Sequence, residues 1–110
     1  MQIHDTALPE VKRIMLDIFA DQRGFFCERF RVDKFAEMGI REDFVQTNHS
    51  RSVPGVIRGL HFQHAPMQGK LVGVTHGAVL DVALTFDLAG TGRIGWVPLA
   101  DENSVTLTSP

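Results

Sequence analysis

The feature that most limits what this chain can fold into is a two-residue hydrophobic period that keeps restarting after a glycine or a turn. Over residues 11–19 apolar and polar side chains alternate until Asp21-Gln22-Arg23-Gly24 supplies a turn; over 25–30 the period resumes with Phe26, Glu28 and Phe30 on one face. Such alternation sends successive side chains to opposite faces of a strand. The same reading gives strands at 44–48, 56–62, 71–75, 78–86 and 94–99, with Ser52-Val53-Pro54-Gly55 as a turn. Short, glycine-punctuated strands predict an all-β fold, an antiparallel β sandwich or barrel.

One helix interrupts the pattern at residues 34–38, with Asp33 as its N-cap and Gly39 placed to end it. At the other extreme, Ser104-Val105-Thr106-Leu107-Thr108 reads as a strand with no return partner after it. It is therefore expected at an exposed sheet edge.

With 110 residues and no internal repeat or low-complexity linker, a single domain over 1–110 is expected. A net charge of -2 argues against a nucleic-acid partner. No apolar run approaches the ~20 residues that span a bilayer, and Met1-Gln2-Ile3-His4-Asp5 lacks the order of a signal peptide. A cytoplasmic protein without a membrane partner is expected. Cys27, the single cysteine, follows Phe25 and Phe26 and reads as a buried structural thiol.

The chemistry is concentrated in Arg58-Gly59-Leu60-His61-Phe62-Gln63-His64-Ala65-Pro66 and the Gln68-Gly69-Lys70 that follows. On a regular strand Arg58 and His61 face opposite ways, so they share a cavity only if Gly59 permits a bend. A strand returning from Gly69 would bring Lys70 near His61. A neutral imidazole beside an ammonium suits removal of a proton next to a carbonyl, the ammonium stabilising the enolate oxygen. The competing reading is a metal held by His61, His64 and His76. Against it, histidines three apart on a strand diverge, no Asp or Glu lies between His61 and His76, and Lys70 would set a cation beside the ion. No metal is expected, and His64 and His76 read as surface or turn residues. Asp81, inside the apolar run 78–84, needs a partner if buried, with Lys70, Arg58 or a histidine as candidates.

In order along the chain stand Asp21-x-Arg23-Gly24-x-Phe26-x-Glu28-x-Phe30, Gln46-x-Asn48-x-Ser50, Gly55-Val56-x-Arg58-Gly59-Leu60-His61-x-Gln63, Gln68-Gly69-Lys70-Leu71-Val72 and Gly77-x-Val79-x-Asp81-Val82-Ala83. This ordered set resembles the dTDP-4-dehydrorhamnose 3,5-epimerase family of nucleotide-sugar enzymes, from about residue 14 to residue 110. The resemblance implies a metal-free, cupin-like jelly roll or β sandwich, a homodimer without cofactor, and a dTDP-linked 4-keto-6-deoxy sugar inverted at the carbons flanking its keto group. It makes His61 the base and Lys70 the lysine near the keto oxygen. Arg23, Glu28, Gln46, Asn48 and Arg58 fall on substrate-binding positions, arginine being suited to phosphate; Gln63 and Asp81 shape the pocket.

The family's proton donor is a tyrosine lying beyond the region matched, and these 110 residues contain none. The stretch Thr85-Phe86-Asp87-Leu88-Ala89-Gly90 also departs from the family's acidic-then-arginine pattern. The resemblance therefore implies a C-terminally truncated piece of such an enzyme or a degenerate homologue. Without its acid, turnover is expected to fall by about 10²–10⁴. Two other readings share the architecture: a non-catalytic sugar-nucleotide-binding homologue and a dTDP-sugar ketoisomerase.

Overall fold

In the computed structural model, residues 1–86, 89–100 and 104–109 are described. Asp87 and Leu88, within the divergent 85–90 stretch, and Pro110 lie outside them. The elements run β1 (Gln2–Asp5), β2 (Val11–Met15), β3 (Ile18–Asp21), β4 (Gly24–Cys27), α1 (Val32–Glu37), β5 (Lys70–Gly73), β6 (Ala78–Phe86), β7 (Gly92–Ala100) and β8 (Ser104–Thr108). They form a four-stranded sheet in the order β1-β2-β8-β5 and two hairpins, β3-β4 and β6-β7. Every pairing among them is antiparallel. Apart from α1 the elements are all strands, as the alternation predicts, in keeping with the cupin-like frame the resemblance implies.

The four-stranded sheet buries both faces. On one, Ile14, Val105 and Leu107 pack with Leu16, Phe35 and Ile40, so α1 lies across the sheet. On the other, Val11 joins Leu8, Val74, Val97 and Leu99, which brings β7 against the sheet. Leu8 fits there because Gly95 has no side chain: a Cβ on Gly95 would meet Leu8 Cγ at 2.9 Å. Opposite faces of one sheet thus hold two cores, helix on one side and hairpin on the other.

Four expectations need correction. The run 11–19 is two strands in different sheets, interrupted at Leu16 and Asp17, where the Met1 amino group binds the Asp17 carboxylate. The helix begins at Val32 with Arg31 as N-cap; Asp33 lies in the first turn, its carboxylate engaged by Arg31 Nε at 2.6 Å rather than capping. Its far end follows expectation. Gly39 takes φ 86°, Gly39 N–H donates to Ala36 O at 3.0 Å and Ile40 N–H to Phe35 O at 2.9 Å, a Schellman closure.

The third correction concerns 44–48 and 56–62, which are not strands but parts of an irregular segment over residues 40–69. A strand is stable when its backbone groups and one face find partners. Here Ile57 is 95% and Phe62 88% exposed, so that alternation has no surface to pack on among the described residues. The fourth is β8. It runs through the interior of the sheet, paired with β2 and β5, and Ser104, Val105, Thr106 and Leu107 are all buried. The first edge strands are instead β1 and β5. Cys27 is half-buried at the end of β4.

Candidate functional site

Lys70 opens β5 opposite Thr108 at the end of β8. Its Nζ donates to the main-chain carbonyl of His61 at 3.4 Å. The sequence expected the two residues to meet through a returning strand; instead the 40–69 segment folds back over the start of β5. Lys70 thereby meets the backbone of His61, whose side chain is exposed. An ammonium has three N–H donors, so one carbonyl contact leaves two for an oxyanion.

Gly59 takes φ 119°, in the region that favours glycine, and supplies the bend between Arg58 and His61. The opposite-face objection to that pair applies to a strand, and 56–62 is none. Arg58 folds back on its own loop: Nε donates to Ser52 Oγ at 2.9 Å and Nη2 to Arg51 O at 3.4 Å. Gln46 and Asn48 meet through Gln46 Nε2 and Asn48 Oδ1 at 3.1 Å. Gln63 is exposed two residues beyond His61, while His64 lies in the following turn and His76 in the bend between β5 and β6, both exposed.

Arg23 and Glu28 have partners within the chain. At the β3-β4 turn Arg23 Nη2 lies 2.5 Å from Asp21 Oδ2, with the arginine side chain 85% exposed. The pairing holds the Asp21 carboxyl below its ordinary pKa and raises that of Arg23. Glu28 is clamped by Lys34 Nζ at 2.7 Å and Arg31 Nη1 at 3.5 Å. Lys34 is the main cause of a lowered Glu28 pKa. A ligand contacting either residue would share it with these partners.

Asp81 is half-buried on β6, and none of the expected partners reaches it. Thr106 of β8 donates its hydroxyl to Asp81 Oδ2 instead. Asp81 shares the inner face of its hairpin with Val97 and Leu99, toward the middle of the four-stranded sheet, whereas Lys70 stands at the sheet's edge beside the loop. The partner was legible in principle: Ser104, Thr106 and Thr108 alternate along β8, which aligns three hydroxyls on one face. Among the described residues no three His, Cys, Asp or Glu side chains converge as ligands for a metal ion. Nor is any helix there long and apolar enough to cross a membrane.

An antiparallel, cupin-like β frame whose edge lysine binds a histidine-bearing loop is the class of protein that fold and site define. The dTDP-4-dehydrorhamnose 3,5-epimerase family model matches residues 5–108, and the chain belongs to that family. It is 46% identical over 114 aligned residues to the dTDP-4-dehydrorhamnose 3,5-epimerase of Escherichia coli, covering 100% of this chain and 62% of that protein. The Neisseria gonorrhoeae protein of the same name is 54% identical over 84 residues, 76% of this chain and 26% of its own length. Among solved structures, the Legionella pneumophila dTDP-6-deoxy-D-glucose-3,5-epimerase in complex with dTDP-4-keto-L-rhamnose superposes with a TM-score of 0.90 at 42% identity, covering 97% of this chain and 59% of that one. The Sulfolobus tokodaii dTDP-4-dehydrorhamnose 3,5-epimerase gives 0.89 at 34%, covering 99% and 63%. The chain thus spans about six-tenths of the relatives it matches from end to end.

Proposed function

We propose that these residues carry the deprotonating half of a dTDP-4-dehydrorhamnose 3,5-epimerase: His61 removes the proton beside the keto group of a dTDP-4-keto-6-deoxy sugar, and Lys70 stabilises the resulting enolate. The observation that carries this reading is the Lys70–His61 contact, which sets the ammonium at the base of the loop bearing the imidazole. The relative crystallised with dTDP-4-keto-L-rhamnose supports the substrate class. Arg23 and Arg58 suit the diphosphate, with charge-assisted hydrogen bonds as the attraction; Glu28, Gln46 and Asn48 complete the binding set, while Gln63 and Asp81 shape the pocket. No cofactor enters the reaction.

In this reading residues 1–110 are one domain of a cytoplasmic homodimer. The outer face of the β6-β7 hairpin favours a second subunit. Leu80, Val82, Phe86, Ile94 and Trp96 share that face by register and are all exposed, Trp96 at 67%. An apolar face of this kind commonly marks an interaction surface.

The test is incubation of the chain with the dTDP-4-keto-6-deoxyhexose in deuterated water. The reading expects deuterium at a carbon flanking the ketone. Because the 110 residues contain no tyrosine, that exchange should outrun net inversion. A second reading is a non-catalytic sugar-nucleotide binder. Saturable dTDP binding without exchange would select it, and movement of the keto group would select a ketoisomerase.

A further inference from the structure

The register of the four-stranded sheet gathers a second polar patch at the end remote from Lys70. His4 stands opposite Arg13 and Gln2 opposite Met15; Met15 in turn is opposite Ser104, and Arg13 opposite Thr106. With side chains alternating along each strand, these six share one face. The Thr106 hydroxyl is used by Asp81. That of Ser104 is not: the residue is 1% exposed and its Oγ has no hydrogen-bond partner. Arg13 Nε, on the neighbouring strand, is likewise shut from solvent without a partner. A groove lined by Gln2, His4, Asp5, Arg13 and Met15 opens beside Arg13, and Ser104 adjoins it as the strand partner of Met15. Buried donors are normally paired, and two on adjacent strands beside one groove can share an acceptor.

We propose that this face is an anion site that takes a phosphate group, Arg13 Nε donating from the groove, Ser104 Oγ from beside Met15, and the Gln2 amide and His4 imidazole from the β1 wall. Donors arrive from three strands, β1, β2 and β8, which matches the three terminal oxygens of a phosphate better than the two of a carboxylate. Asp5 would repel an anion if unpaired, but Lys12 Nζ holds its carboxylate at 2.7 Å. None of these residues belongs to the motifs that carry the epimerase reading, so the two stand or fall separately.

Titration of inorganic phosphate into the isotopically labelled chain, followed by NMR, tests the site. Saturable shifts are expected at the Arg13 Nε–H and the His4 ring, with the His61 and His76 rings unmoved. Arg13→Gln should weaken binding about tenfold or more and Ser104→Ala severalfold. Arg41→Gln, which removes an equal charge from an exposed position elsewhere, should leave affinity unchanged. Acetate should bind severalfold less tightly than phosphate. Shifts that stay linear or spread over the cationic surface would overturn the proposal, as would wild-type affinity in a folded Arg13→Gln chain. Equal affinity for acetate would overturn the phosphate assignment. Because the wild-type shifts map the site directly, a variant that failed to fold would not remove the test.

Discussion

The hydroxyl of Thr106 in β8 donates to the carboxylate of Asp81 in β6, so one hydrogen bond ties the four-stranded sheet to the β6-β7 hairpin. Thr106 is buried at 1% exposure and its strand neighbour on the β5 side is Val72, two residues along from Lys70. The tether therefore lies beside the strand that presents the candidate catalytic lysine. A carboxylate in an apolar strand, which the sequence marked as a site residue, has a structural partner in the fold.

Asp81→Ala should lower stability by about 1–3 kcal/mol, because it leaves a buried hydroxyl without its acceptor. Thr106→Val should cost less, and the double substitution less than the sum of the two. Urea unfolding of the three variants measures the coupling; strict additivity would show that the bond contributes little.

Phe35 anchors α1 to the sheet, at 1% exposure and with the Phe30 ring 4.8 Å away in an edge-to-face contact. Phe35→Ala should cost about 3–5 kcal/mol, a large share of the ~5–15 kcal/mol that holds a typical domain together. Phe35→Leu should remain folded. Denaturant midpoints for the two variants check the difference.

Acid should weaken the α1 region before the rest. Lys34 and Arg31 hold the Glu28 carboxyl below its ordinary value of 4.5, and Arg31 does the same to Asp33 below 3.8. A group depressed in the folded state stabilises above its unfolded pKa and loses that contribution as pH falls through the folded one. The stabilisation should thus be complete at neutral pH and decline once the pH drops below about 4.5. These groups are solvent-accessible, so the effect should be small and shrink with added salt. In Glu28→Gln, unfolding followed against pH should show a shallower acid limb; an unchanged limb would assign acid sensitivity elsewhere.

Much of the fold was legible because β6, a nearly continuous apolar run, and β8, an alternating one, both find partners; their boundaries match the sequence reading at both ends. The failures have physical causes. Residues 56–62 read as a strand, yet a local pattern records only a capacity for pairing, and the described structure pairs that segment with no strand. The interior position of β8 depends on β2, some ninety residues earlier, which no local pattern reports. At the site, the glycine bend before His61 was readable from Gly59 and the row of β8 hydroxyls from its alternation, whereas the Glu28 clamp and the approach of Thr106 to Asp81 arise from tertiary contact.

Lys70→Ala should slow proton exchange beside the ketone by about 10²–10³, the cost typical of removing one oxyanion donor. Lys70→Arg, which keeps the charge but not the compact ammonium, should recover part of the rate. Exchange kinetics at fixed substrate separate the two; equal rates in wild type and Lys70→Ala would remove the lysine from the reaction.

The most direct test of the account is the rate at which deuterium from solvent enters the carbon beside the ketone of a dTDP-4-keto-6-deoxyhexose, compared between the wild-type chain and a folded His61→Ala variant. Exchange in the wild type and a fall of about 10²–10⁴ in the variant is the predicted result. Exchange at the wild-type rate in His61→Ala would contradict it.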